Sequence, residues 1–196
     1  ICEQLAQSAD PGRPPSAWVA PDCIFVSVGD GNIISGIHKG LKDLLALGWI
    51  NRMPRLMGVQ AEGSAAIHNA WRAGTEVITP VAAQTLADSI SVDLPRDGVR
   101  AVRAARDTGG AYLLVSDDEI LAALRDLGRG LAVFAEPAGA TAWAGLVKAA
   151  QFNQNRQQRS LRLFESGLRF LPGPGGLEQR LAVAGIACGD RGQEGW

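Results

Sequence analysis

Cysteine is scarce in this chain, and the few present are badly placed for a framework. Cys2, Cys23 and Cys188 are the whole set. An odd number without C-x-x-C spacing favours free thiols in a reducing, cytoplasmic setting over a disulfide scaffold or zinc site. Histidine is scarcer still. His38 and His68 both fall within helical patterns, away from the Cys, Asp or Glu spacing of a metal site, so packing or surface roles and no metal are expected. Charge nearly cancels, with a formal net charge of −1, so no global field favours nucleic acid or an anionic membrane. No run approaches the roughly 18 apolar residues of a membrane helix, and no basic, apolar, small-residue leader opens the chain. Ser89 and Ser91 have no neighbouring histidine to activate them. Lysine occurs only at Lys39, Lys42 and Lys148, a shortage that becomes important below.

What is present is a core. Hydrophobic residues make up 46% of the 196, enough for one domain, or a domain and a tail. The organising stretch runs from Cys23 to Gly40. A short apolar run, Cys23 to Val28, stops at Gly29, and Gly29-Asp-Gly-Asn32 forms a turn. Ile33, Ile34, Ile37, Leu41, Leu44 and Leu45 then recur at helical spacing. Strand, glycine turn, helix is the geometry that aims free backbone N–H groups at an anion, usually a phosphate. Gly29 and Gly31 would let the backbone approach that anion, and Asn32 would cap the helix. The turn is neither a dinucleotide fingerprint, since Ile34 stands where the third glycine belongs, nor a nucleotide-triphosphate loop, since Lys39 is misplaced. Spacing alone leaves phosphate cradle and plain turn equally open.

Along the rest of the chain, residues 1–7 read as helix and 8–16 as a Pro-rich loop. Gly48 ends the helix that follows the turn. A second strand is expected over Leu56–Gln60, and a helix opening at Glu62-Gly63-Ser64 runs through Ile67 and Trp71. Residues 85–92 are loop or short helix. A helix starting at Pro95 presents Val99, Val102 and Ala105 on one face and Arg96, Arg100, Arg103 and Arg106 on the other, the latter a solvated stripe. Ala111–Val115 is the third strand, and Ser116-Asp-Asp-Glu119 is a capping box for the next helix. Leu131–Phe134 reads as a fourth strand, and Pro137 opens a helix carrying Trp143 and Leu146. Glu136, just before it, would lie at a strand's carboxyl end if Leu131–Phe134 joins the sheet. Otherwise it is a solvated carboxylate favoured by the helix dipole.

This alternation predicts an α/β fold with a mainly parallel sheet covered by helices on both faces, ligands sitting at the carboxyl ends of the strands. The expected organisation is a helix remnant and Pro-rich loop at 1–16, an α/β domain at 17–150, and a divergent, polar and turn-rich segment at 151–196.

Four segments come in a distinctive order: Val26-Ser-Val-Gly-Asp-Gly-Asn-Ile-Ile-Ser-Gly36, Pro54-Arg-Leu-Met-Gly-Val-Gln-Ala-Glu-Gly63, Ala87-Asp-Ser-Ile-Ser-Val92 and Phe134-Ala-Glu-Pro-Ala-Gly-Ala140. Together they resemble the C-terminal half of threonine synthase, a fold-type II pyridoxal-phosphate enzyme. The resemblance covers residues 17–150 and implies the cofactor-phosphate-binding part of that enzyme's large domain. It implies pyridoxal 5'-phosphate as cofactor, its phosphate held by the backbone of Gly29, Asp30, Gly31, Asn32 and Ile33, with Glu136 near the pyridine ring. The implied activity is a carbon–oxygen lyase reaction of threonine biosynthesis, O-phosphohomoserine and water giving threonine and phosphate, on a small amino-acid substrate. A homodimer is implied by analogy alone. The runner-up is a threonine or serine ammonia-lyase, although Gly-Asp-Gly-Asn leans toward the synthase. A cofactor-half remnant without turnover is the third reading.

Two departures qualify the resemblance. The family's Schiff-base lysine belongs to an N-terminal half that does not match this chain, and none of Lys39, Lys42 and Lys148 falls at its position. No catalytic residue is therefore assigned. The family's strand into Thr-Gly-x-Gly-Leu-Lys finds only Phe164-Glu-Ser-Gly-Leu-Arg169, in which Ser166 would stand in for the threonine facing the pyridine nitrogen. With the opening at Ile1 inside a helical pattern, these departures predict a fragment or a degenerate gene product.

Overall fold

The computed structural model describes residues 1–9, 18–154, 160–173 and 176–189, with side chains placed for 1–6 and 18–151. Strands β1 (Cys23–Ser27), β2 (Arg55–Ala61) and β3 (Ala111–Val115) form a parallel sheet in that order. Cys23 pairs with Arg55 and Ser27 with Val59, while Met57 pairs with Ala111 and Ala61 with Val115. Parallel neighbours need crossovers, and helices supply them. α2 (Asn32–Ala46) links β1 to β2, α3 (Ala66–Arg72) and α4 (Gly98–Asp107) lie between β2 and β3, α5 (Asp117–Leu131) and α6 (Pro137–Gln154) follow β3, and α1 (Cys2–Ala9) precedes the sheet.

Side chains alternate across the strands and so divide the core in two. Ile24, Val26, Leu56 and Tyr112 bury against α2, α3 and α4 through Ile34, Leu41, Ile67 and Val102. Val59, Ala61 and Val115 face α5 and α6 through Ile120, Leu127, Trp143 and Leu146. Each fully buried aliphatic side chain of this set contributes about 2 kcal/mol of transfer free energy. The expected α/β sheet with both faces covered is the observed one.

Local signals placed several boundaries well. Gly48 adopts φ 69°, and its N–H and that of Trp49 donate to Leu45 and Leu44 carbonyls, closing α2 with a Schellman motif. The capping box at Ser116 is present in both directions, Glu119 N–H to the Ser116 hydroxyl and Ser116 N–H to the Glu119 carboxylate. Burial works against the Glu119 carboxylate, yet the hydrogen bonds from Ser116 and from Lys148 hold its pKa below the usual value. α4 starts at Gly98 rather than at Pro95, and Val102 and Ala105 are buried as expected while Val99 is exposed. Arg96, Arg100 and Arg103 are exposed and Arg106 is half-buried on Thr75 O. Residues 85–92 contain one 3-10 turn, Asp88–Ile90.

The fourth strand does not form. Leu131 is the last residue of α5, Ala132 turns the chain at φ 53°, and Val133 N–H donates to the Leu127 carbonyl. Leu127 and Leu131 are one helical turn apart, so the first residue of the apolar run at 131–134 belongs to a helix face, a pattern that composition alone does not separate from a short buried strand. Phe134 is fully exposed.

Beyond Ala150 the described residues hold regular elements that composition did not announce. α6 continues to Gln154, and β4 (Ser160–Gly173) pairs antiparallel with β5 (Gly176–Gly189) in a separate two-stranded sheet. Cys2 and Cys23 are buried free thiols, as expected. The side chain of Cys188 and most of the Pro-rich loop lie outside the described residues. No described helix is long and apolar enough to cross a membrane.

Candidate functional site

The site is built at the carboxyl ends of β1 and β2. Val28 N–H still donates to Val59 O, at 2.8 Å, so β1 follows β2 one residue past its end before the chain breaks away at Gly29. Gly31 is the residue preceding α2, at φ 92°, and its carbonyl accepts from Ser35 N–H. The Asn32 side chain does not cap the helix. Asn32 is already inside α2, the start has no side-chain cap, and the first turn holds no acidic residue. The N–H groups of Asn32, Ile33 and Ile34 therefore have no intrahelical acceptor, and no side chain among the described residues accepts from them. Asn32 and Ile33 are exposed and Ile34 is fully buried. An open, positively poled helix start fits a phosphate.

What demands the glycines lies behind the turn. A Cβ on Gly29 would meet Ile90 Cα at 2.9 Å, and one on Gly31 would meet Ala101 Cβ at 2.8 Å. Segment 87–101 thus presses closely on one side of the turn. Two polar side chains hold that segment and β2 in place. Ser64 Oγ donates to Ile90 O at 3.0 Å and accepts from Val92 N–H at 3.0 Å. Gln60, 1% exposed, donates through Nε2 to Val28 O and accepts His68 N–H at Oε1, 2.8 Å away. Gln60 and Ser64 escaped sequence reasoning as functional residues. Their only signal was that polar side chains followed an apolar strand at its carboxyl end. α6 joins through its second turn, where Ala142 N–H donates to Ser27 Oγ.

Three of the four motif segments therefore meet around Gly29–Asn32, and the fourth reaches it through α6. Glu136 is exposed at the start of α6, where its carbonyl accepts Ala140 N–H. Its carboxylate makes no hydrogen bond or ion pair among the described residues. Without the fourth strand, Glu136 is not at a strand's carboxyl end. Ser166 sits in β4 opposite Val183, its side chain outside the described ones. The histidines serve packing. His38 is buried 3.9 Å from Asp107, burial lowering its pKa against the pull of that carboxylate, and burial likewise lowers that of His68. No cluster of metal-ligating side chains occurs among the described residues.

Residues 9–161 match the family model described as pyridoxal-phosphate dependent enzyme. The chain belongs to that family. Its cofactor is pyridoxal 5'-phosphate, and the open start of α2 fits the cofactor's phosphate. Threonine synthase of Methanosarcina acetivorans is 40% identical over 129 residues, covering 65% of this chain and 32% of that one. The chain thus spans about a third of that curated relative's length. Among solved structures, threonine deaminase isoform 2 from Solanum lycopersicum aligns with a TM-score of 0.56 at 22% identity, over 78% of this chain and 40% of that one. At that identity the likeness establishes the fold, that of fold-type II enzymes.

A second family model, phenylalanyl tRNA synthetase beta chain CLM domain, matches residues 139–196. The phenylalanine–tRNA ligase beta subunit of Pseudomonas fluorescens is 59% identical over 54 residues, 28% of this chain and 7% of that one. The two family matches overlap at 139–161, mostly within α6. Ser166 lies past the end of the first and inside the second.

Proposed function

We propose that this chain carries the cofactor-phosphate site of a threonine synthase-like carbon–oxygen lyase acting on O-phosphohomoserine. The observation that carries the reading is the uncapped start of α2, braced from behind by the two segments that share its family pattern. When bound, pyridoxal phosphate serves as the electron sink for the amino-acid substrate. The chain's own part is to bind and orient. Asn32, Ile33 and Ile34 N–H groups hold the phosphate, Ile90 and Ala101 back the turn, and Gln60 and Ser64 fix the strand ends that present it. None of the chain's lysines serves the cofactor in this reading. Lys39 pairs with Asp43 on the exposed face of α2, Lys42 is exposed beside it, and Lys148 donates to Leu114 O and Glu119. Similarity to threonine synthases, together with Gly-Asp-Gly-Asn, supports the synthase over an ammonia-lyase.

A different observation bears on the C-terminal segment. The second family match, which takes in Ser166 while the first ends at 161, supports a reading in which Ser166 takes no part in the cofactor site, even though β4 touches β1 and α6. The full chain titrated with pyridoxal phosphate tests both halves of this reading. Amide resonances at 29–34 shift, those of β4 and β5 stay in place, and borohydride fixes no adduct on a single lysine. A shift centred on Ser166, or a stoichiometric adduct on Lys39, Lys42 or Lys148, contradicts it.

A further inference from the structure

The turn that presents the phosphate site contains a carboxylate, and that is a puzzle. Asp30 stands between Gly29 and Gly31, where its charge opposes an incoming anion. The structure shows what it is used for. Asp30 Oδ1 accepts the Arg96 N–H at 3.0 Å, and the Asp30 carbonyl accepts the Asp97 N–H at 2.9 Å. Both bonds run to the two residues just before α4, a sequence separation of 66 for the first. Gly31 is pressed onto the same place, since a Cβ there would lie 3.0 Å from Asp97 O and 2.8 Å from Ala101 Cβ. The side chain that looks like an error in an anion site is one jaw of a clamp.

We propose that Asp30 is a positioning residue for the cofactor's phosphate, acting through the backbone of its own turn. Its side chain and carbonyl pin residue 30 to the start of α4. That holds Gly31 at φ 92° and fixes the entry into α2, whose first N–H groups are those of Asn32, Ile33 and Ile34. Pre-set donors bind an anion without the cost of ordering the loop first. The inference rests on the phosphate-site reading above. It also separates two properties of the aspartate. The clamp uses an acceptor oxygen, whereas the negative charge works against the ligand. Asparagine keeps the first and loses the second, and alanine loses both.

The test uses the full chain, with inorganic phosphate as the probe, read by amide shifts at residues 29–34. Asp30→Ala weakens phosphate binding by about tenfold or more, the range expected when a hydrogen bond to a charged group is lost. Asp30→Asn binds as tightly as the unaltered chain or more tightly. Hydrogen exchange of the Arg96 amide speeds up in Asp30→Ala and not in Asp30→Asn, a readout independent of ligand. If the unaltered chain shows no phosphate-dependent shifts, the site reading fails and this inference with it. If the unaltered chain binds and Asp30→Ala binds equally well, the site stands and the role of Asp30 is overturned. If Asp30→Ala does not fold, Asp30→Asn still decides: binding weaker than the unaltered chain overturns the inference, and equal or tighter binding supports it.

Discussion

Gly63→Ala is expected to destabilise the protein by about 3 kcal/mol or more, the cost of forcing a methyl into filled space against a rigid neighbour. An added Cβ at residue 63 would fall well inside the van der Waals distance of the Gln84 carbonyl oxygen. Neither side can retreat easily. Gln84 N–H donates back to Gly63 O at 2.9 Å. Immediately after Gln84, Thr85 Oγ1 donates to Asp117 and Leu86 N–H donates to the same carboxylate at 3.1 Å. The strain is passed on, because Ser64 next door carries the bonds to Ile90 and Val92 that seat the phosphate turn. Urea denaturation checks it, with Gly36→Ala as the contrast. Gly36 lies inside α2, and an added Cβ there would meet nothing within 4 Å, so alanine stabilises by about 0.5–1 kcal/mol. Near-equal midpoints for the two variants would contradict the packing described.

Gln60→Leu carries the second large effect, about 2–4 kcal/mol of lost stability at nearly unchanged volume. The leucine fills the space and leaves Val28 O and His68 N–H without the partners they have now. The His68 N–H belongs to the first turn of α3, which has no cap from the residue preceding it, so Gln60 caps that helix from the end of β2. The same substitution loosens Val28, one residue before the phosphate turn, and phosphate affinity falls along with stability. Chemical denaturation gives the first quantity and phosphate titration the second. A variant as stable as the unaltered chain would show that the two bonds are not worth their burial.

Much of this scaffold is legible in one sequence, and the reason is locality. Gly29 and Gly48 punctuate apolar runs, so β1 and the end of α2 could be placed within a residue or two. The Ser116–Glu119 box announces α5, because both of its bonds close within four residues. The errors arise where local pattern and long-range partner disagree. Leu131-Ala-Val-Phe134 has the composition of a strand, but its first residue completes a helix face on Leu127. Asn32 has the chemistry of a cap, yet the backbone enters α2 one residue earlier, at a glycine whose conformation is set by Asp97 and Ala101. Asp30 lies in the turn where the resemblance implies cofactor binding, and its distant partners Arg96 and Asp97 cannot be read from spacing. Periodicity in 160–189 is too weak to show two strands, since small and polar residues interrupt every alternation.

The function proposed for this chain depends on the open start of α2 being a phosphate site. Phosphorus NMR of pyridoxal phosphate, recorded with the full chain and followed through the amides of Gly29 to Ile34, is the sharpest test. A shifted, broadened phosphorus signal is expected, with the largest amide changes at Asn32, Ile33 and Ile34 and displacement of the cofactor by inorganic phosphate. An unshifted phosphorus signal with those three amides unmoved would refute the site.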